Sequence, residues 1–155
     1  MERTELLSRL KFNEREKEEI CIFDVWILPK NVDLAEQSEL YFDDNAYDIR
    51  KLLSEQNIKA CLFERKGQNI PVQQLRDAGL ILPTLFMLSK PEAHILIPIV
   101  VNIVSNYVYD KFISLGRKDS RVKFTMIKED EGKIIEYDGP AETFEKTVKE
   151  ILKAH

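Results

Sequence analysis

Asp24 in the first apolar run, Asp43 and Asp44 ahead of a helix, and Glu64-Arg65-Lys66 closing a second apolar run are the residues whose types could act together chemically. Carboxylates brought in from separate elements can hold a hard divalent cation, and a lysine beside them can position or activate water. That reading requires Asp24, Asp44, Glu64 and Lys66 to converge within a few ångströms. A plainer one is available for each. Acids ahead of a helix are favoured by capping and by the helix dipole, and Arg65 puts a charge where an in-strand position would be apolar.

The Glu64-x-Lys66 spacing resembles the E-x-K arrangement of metal-dependent restriction-type nucleases, and that resemblance implies a nuclease-like enzyme using Asp24, Asp44, Glu64 and Lys66. Other chemistry is sparse. His94 has no Ser, Cys or carboxylate motif beside it, and a structural role is the simpler expectation for a lone imidazole among apolar neighbours. Five dispersed glycines each suit a turn or a cap, and no phosphate-cradling loop or dinucleotide fingerprint can be built from them. Cys21 and Cys61 lie in predicted strands without a C-x-x-C pair or a Cys/His cluster, which argues for reduced thiols and a cytoplasmic setting. No cofactor and no metal site are expected.

The net charge of −4 is spread over interspersed acids and bases, so nucleic acid is a poor partner for this chain. The opening MERTELLSRLKFNEREKEEI is rich in charge where a signal peptide needs an apolar stretch. The length suits one compact domain with two lobes, at 1–89 and 90–155.

These side chains must be positioned by a small set of elements. Leu6, Leu7 and Leu10 share one helical face, and Asn13 with Glu16 has the form of a helix start. Ile20–Pro29 is β-branched and aromatic and reads as a buried strand. The acidic segment NVDLAEQSELYFDD follows as a loop. Residues 45–56 place Ile49, Leu52 and Leu53 at helical spacing, and 58–64 form a second strand. Strand, helix, strand is the signature of a βαβ unit with parallel strands. Pro71 and VQQLRDAG predict a short helix capped by Gly79, and LILPTLFML runs apolar without periodicity.

Ala78–Tyr109 carries only Lys90 and Glu92 as formal charges in a chain that is 32% charged. Ser89-x-x-Glu92 matches a capping box, predicting a helix from about Lys90 to Gly116, bent or broken near His94–Ile97 by Pro98 at a cost of roughly 3 kcal/mol. The segment is apolar nearly all round, so it serves as a core helix, an oligomer seam or a membrane element. Asn102, Ser105 and Asn106 interrupt it, either to bind across an interface or to reach solvent. As a spanning helix it is shorter than the roughly 20 apolar residues required, and Asp110-Lys111 follow directly. Membrane association is therefore an alternative, not the main reading.

In the last third, Val122, Phe124 and Met126 alternate with Lys123 and Thr125, EDEG turns the chain, and 134–137 return. Asp138-Gly139-Pro140 then supplies a cap and a first-turn proline for a helix with its stripe at Ala141, Phe144, Val148, Ile151 and Leu152. These elements predict an α/β, or α+β, fold: an N-terminal βαβ lobe, a long central apolar helix, and a C-terminal β-hairpin plus amphipathic helix. The long helix is expected to share the hairpin face that this last helix covers.

Residues 93–152, with the hairpin VKFTMIKEDEGKIIEYDG and the junction YDGPAETF, resemble small effector-associated adaptor modules of bacterial conflict and antiviral systems. The resemblance implies a non-catalytic adaptor or accessory subunit with a protein partner, which can be a second copy. The expected contact surfaces are the hairpin edge and the helix at Val101, Asn102, Val104, Asn106 and Tyr109. A small-ligand sensor with a pocket lined by the long helix is the remaining class.

Overall fold

Four consecutive apolar residues, Val25–Leu28, form strand β1, and all four are buried. A strand covered on both faces has no reason to alternate, which is why this run reads as continuous rather than period-two. The structure, a computed structural model, describes residues 23–29, 42–43, 45–62, 72–73, 79–129 and 133–154.

From β1 the described chain continues through β2 (Phe42–Asp43) to helix α1 (Asn45–Glu55), which turns Ala46, Ile49 and Leu53 inward. Asn57, at φ 59°, takes the left-handed conformation that lets the chain leave the helix. It then enters β3 (Ala60–Leu62), parallel to β1 with Val25 opposite Ala60. The expected βαβ unit is present.

The helix expected over 71–79 is not formed at its start. Val72–Gln73 is a strand, β4, pairing in parallel with β2. Gly79 does not take the left-handed conformation expected of a helix cap. A Cβ there would lie 2.7 Å from the Arg121 carbonyl oxygen, so glycine is needed for close backbone approach.

The aperiodic LILPTLFML becomes β5 (Leu80–Ile81) and β6 (Thr84–Met87), both running parallel to β7 (Arg121–Lys128). Leu80 faces Val122 but Leu85 faces Met126, so the register slips by one residue across Leu82-Pro83. The other side of β6 pairs antiparallel with β1, and β7 pairs antiparallel with β8 (Lys133–Pro140) as the expected hairpin. The result is one mixed sheet ordered β3-β1-β6-β7-β8, with β5 beside the start of β7. The fold is α/β. The two segments expected as lobes meet inside this sheet, at the β6–β7 pairing.

Helix α2 (Ala93–Lys111) is continuous. Pro98 lies within it without ending it, because Pro98 and His94 both face solvent and the carbonyl that loses its donor can be hydrated. The predicted capping box is absent. Glu92 is the N-cap with no side-chain cap bond, and the Ser89 backbone N–H donates instead to Glu129 Oε2 at 3.1 Å. After α2 a short 3-10 turn, Ile113–Leu115, ends at Gly116 with φ 75°, the expected terminator. Helix α3 (Phe144–Ala154) follows a second 3-10 turn, Ala141–Thr143, for which Pro140 is an extended cap rather than a first-turn residue.

Among the described residues, α1, α2 and α3 meet one face of the sheet. Ile49 of α1 and Val104 of α2 surround the same small recess as Leu85 and Phe124, and Phe144 of α3 stacks edge-on against Phe124 at 5.6 Å and Tyr137 at 5.2 Å. The Tyr107 hydroxyl donates to Asp48 Oδ2 at 2.9 Å, tying α2 to α1. The Tyr137 hydroxyl donates to the Pro140 carbonyl at 2.6 Å, which fixes the hairpin-to-helix junction. On the opposite face, Cys61, Trp26, Phe86, Ile127 and Ile134 align in register across five strands. Trp26 and Phe86 are fully buried in an edge-to-face pair, whereas Ile134 at the hairpin end is 45% exposed.

Candidate interaction surface

The apolar composition of α2 is only half explained by the core. Ala93, Ile97, Val100, Val101, Val104 and Val108 are buried against the sheet and neighbouring helices. On the opposite side, Ile95 is 57% exposed, Ile99 38% and Tyr109 52%, and Asn102 and Asn106 are exposed between them. At 100° per residue these five side chains fall within an arc of roughly 80°. Their spacing of four, three, four and three is the 3.5-residue repeat with which one helix packs along another.

This arc has no formal charge from Ala93 to Tyr109. Lys111, the first cation after it, folds over the Tyr107 ring at 5.4 Å, towards α1 and away from the stripe. The helices on either side are different. Exposed Arg50, Lys51 and Glu55 line α1, and exposed Glu145, Lys146, Glu150 and Lys153 line α3. The surface therefore has an uncharged centre between two rims of mixed sign.

Of the five interface residues expected from the sequence, Asn102, Asn106 and Tyr109 lie on this surface. Val101 and Val104 do not. Each is 1% exposed and belongs to the core, so neither is available to a partner. Ser105 is also inside, and its Oγ has no hydrogen-bond partner. Ile95 and Ile99 were missing from the expected set. Stepping back from Asn102 by three and seven residues finds both.

The other expected surface, the hairpin edge, is guarded. Among the described residues β8 pairs only with β7, and it carries Lys133, Glu136, Asp138 and Pro140, the residue types that discourage strand addition. Arg121 on β7 hydrogen-bonds Asp138, and this bond holds the Asp138 carboxyl below the usual carboxylate range and the Arg121 guanidinium above its own.

Asp24 is the one member of the proposed carboxylate set among the described residues; Asp44, Glu64 and Lys66 lie outside them. Its oxygens are engaged within the fold. Oδ2 accepts the Lys59 backbone N–H at 3.0 Å, and Oδ1 is 3.4 Å from Lys90 Nζ, so this carboxylate fastens the start of β3 to the approach to α2. Among the described residues no group of three or more His, Cys, Asp or Glu side chains is placed to hold a metal ion. His94 is exposed at the first turn of α2.

The recess bounded by Ile49, Leu82, Pro83, Leu85, Val104 and Phe124 is too tight to hold a water molecule. A small-molecule site usually needs roughly 300 Å³ or more. Ala93–Leu115 is long and apolar enough to cross a membrane by length and composition, at a mean hydropathy of 1.2, and 44% of its apolar window is buried within the fold. No protein-family model, curated protein or solved structure matches this chain.

Proposed function

We propose that this protein is a non-catalytic adaptor or accessory subunit that works in the cytoplasm by binding protein through the outer face of α2. One observation carries the reading. The exposed arc Ile95, Ile99, Asn102, Asn106 and Tyr109 is uncharged and partly apolar while the helices beside it are charged, and the described residues leave it uncovered. An uncharged centre with an aromatic residue and a polar rim is the anatomy of a protein interface. The resemblance of 93–152 to effector-associated modules supports the same reading, with an antiviral system as the setting. Asp24 also favours binding over catalysis, since both its carboxylate oxygens serve the fold.

The test is photo-cross-linking in cells of the source organism, with a benzophenone amino acid at Ile99 and, separately, at Lys123, which is exposed on the sheet face away from the helices. The expected result is a discrete heavier product from position 99 and none from position 123. Equal or absent products at the two positions would overturn the assignment.

A further inference from the structure

Resting on that reading, we infer that the occupant of the α2 face is a second copy of this chain, packed α2 against α2 across a two-fold axis with Asn102 at the centre. The stripe from Ile95 to Tyr109 has Asn102 as its midpoint. A two-fold pairing of the stripe with itself brings Asn102 beside its own copy, whether the helices run parallel in register or antiparallel about this midpoint. An asparagine amide is both donor and acceptor, so the same residue on the other copy satisfies it. A polar amide at the centre of a helix seam is also a device that fixes register and partner number.

Area and charge point the same way. Helix α2, 19 residues long, offers on the order of 250 Å² per copy, from a rise of 1.5 Å per residue and a helix spacing of about 9 Å. With α1 and α3 as rims the layer offers on the order of 500–600 Å² per copy. Two such layers meet the roughly 1,000 Å² needed for a specific interface, at its weak end. The rims mix Arg50, Lys51 and Glu55 on one side with Glu145, Lys146, Glu150 and Lys153 on the other. A surface of mixed sign is compatible with a copy of itself and has no marked preference for a strongly acidic or basic partner.

The experiment is sedimentation velocity on the purified full chain at concentrations up to about 200 μM, well above the micromolar Kd that so small a seam supports. A benzophenone amino acid at Asn102 is run in parallel. The expected result is a reversible shift from the mass of one chain to that of two and a cross-linked dimer from position 102. Ile99→Lys should weaken association at least about tenfold with an unchanged circular-dichroism melt, and Lys123→Gln, at an exposed residue on the sheet face away from the helices, should leave it intact.

A single chain at every concentration, or an Ile99→Lys protein that still dimerises, overturns the inference. If the lone chain instead floats with phosphatidylcholine vesicles, the occupant is lipid and the inference is likewise overturned. A heteromeric product from position 99 in cells, with a monomer in the purified state, rejects the second copy and keeps the adaptor reading.

Discussion

Helices α2 and α3 do the same structural work and present opposite surfaces to the outside. Both cover one face of the sheet, α2 with Val100, Val101, Val104 and Val108, and α3 with Phe144 and Val148. Outside, α3 is charged, with Lys149 and Glu145 paired at 2.6 Å one turn apart, whereas α2 is uncharged until Asp110. A helix needs only one apolar stripe to hold its place. The second stripe on α2 is therefore a cost in solubility that packing among the described residues does not require, and function is the place to look for its reason.

Three measurements would break or sharpen this contrast. The largest effect is expected from Phe144→Ala, which removes the ring stacked on both Phe124 and Tyr137; urea unfolding should show a loss of about 3–5 kcal/mol. A loss below about 1 kcal/mol would mean that its inner face does not anchor α3. Ser105→Ala comes next and has the opposite sign. Its buried hydroxyl has no partner, so deleting it should be neutral or should raise stability by up to about 1 kcal/mol; a clear loss in the same assay would reveal an unseen hydrogen bond. The smallest effect is Lys149→Ala, expected to cost about 0.3–0.5 kcal/mol at low salt and nothing near 1 M salt. A larger, salt-resistant loss would assign the outer face of α3 a role beyond solvation.

The sequence revealed the elements whose two faces differ. The hairpin was legible because Val122, Phe124 and Met126 face the core while Lys123 and Thr125 do not, and α1 and α3 were legible from their stripes. The position of β6 was not, because Leu85, Phe86 and Met87 are all buried and covering both faces erases the period. The same cause misassigned Val101 and Val104. On a helix apolar nearly all round, composition does not say which side faces the sheet, and only the paired asparagines mark the outer arc. At Val72–Gln73 the local preference for helix lost to pairing of Val72 with Phe42. Ser89 and Glu92 had the spacing of a capping box, but Glu129, forty residues on, took the Ser89 N–H. Contacts of that range leave no local trace.

The β6–β7 pairing has a consequence for dividing the chain. Leu85–Met87 hydrogen-bonds alongside Met126–Lys128, and these partners come from either side of the Ser89-Lys90 junction that composition suggests as a boundary. Cutting there would leave each fragment with a bare, apolar strand edge, and such edges recruit whatever strand they meet. The two pieces are therefore complementary halves of one folding unit, expected to aggregate apart and to reconstitute when mixed, and neither is a module that can be moved to another protein by itself.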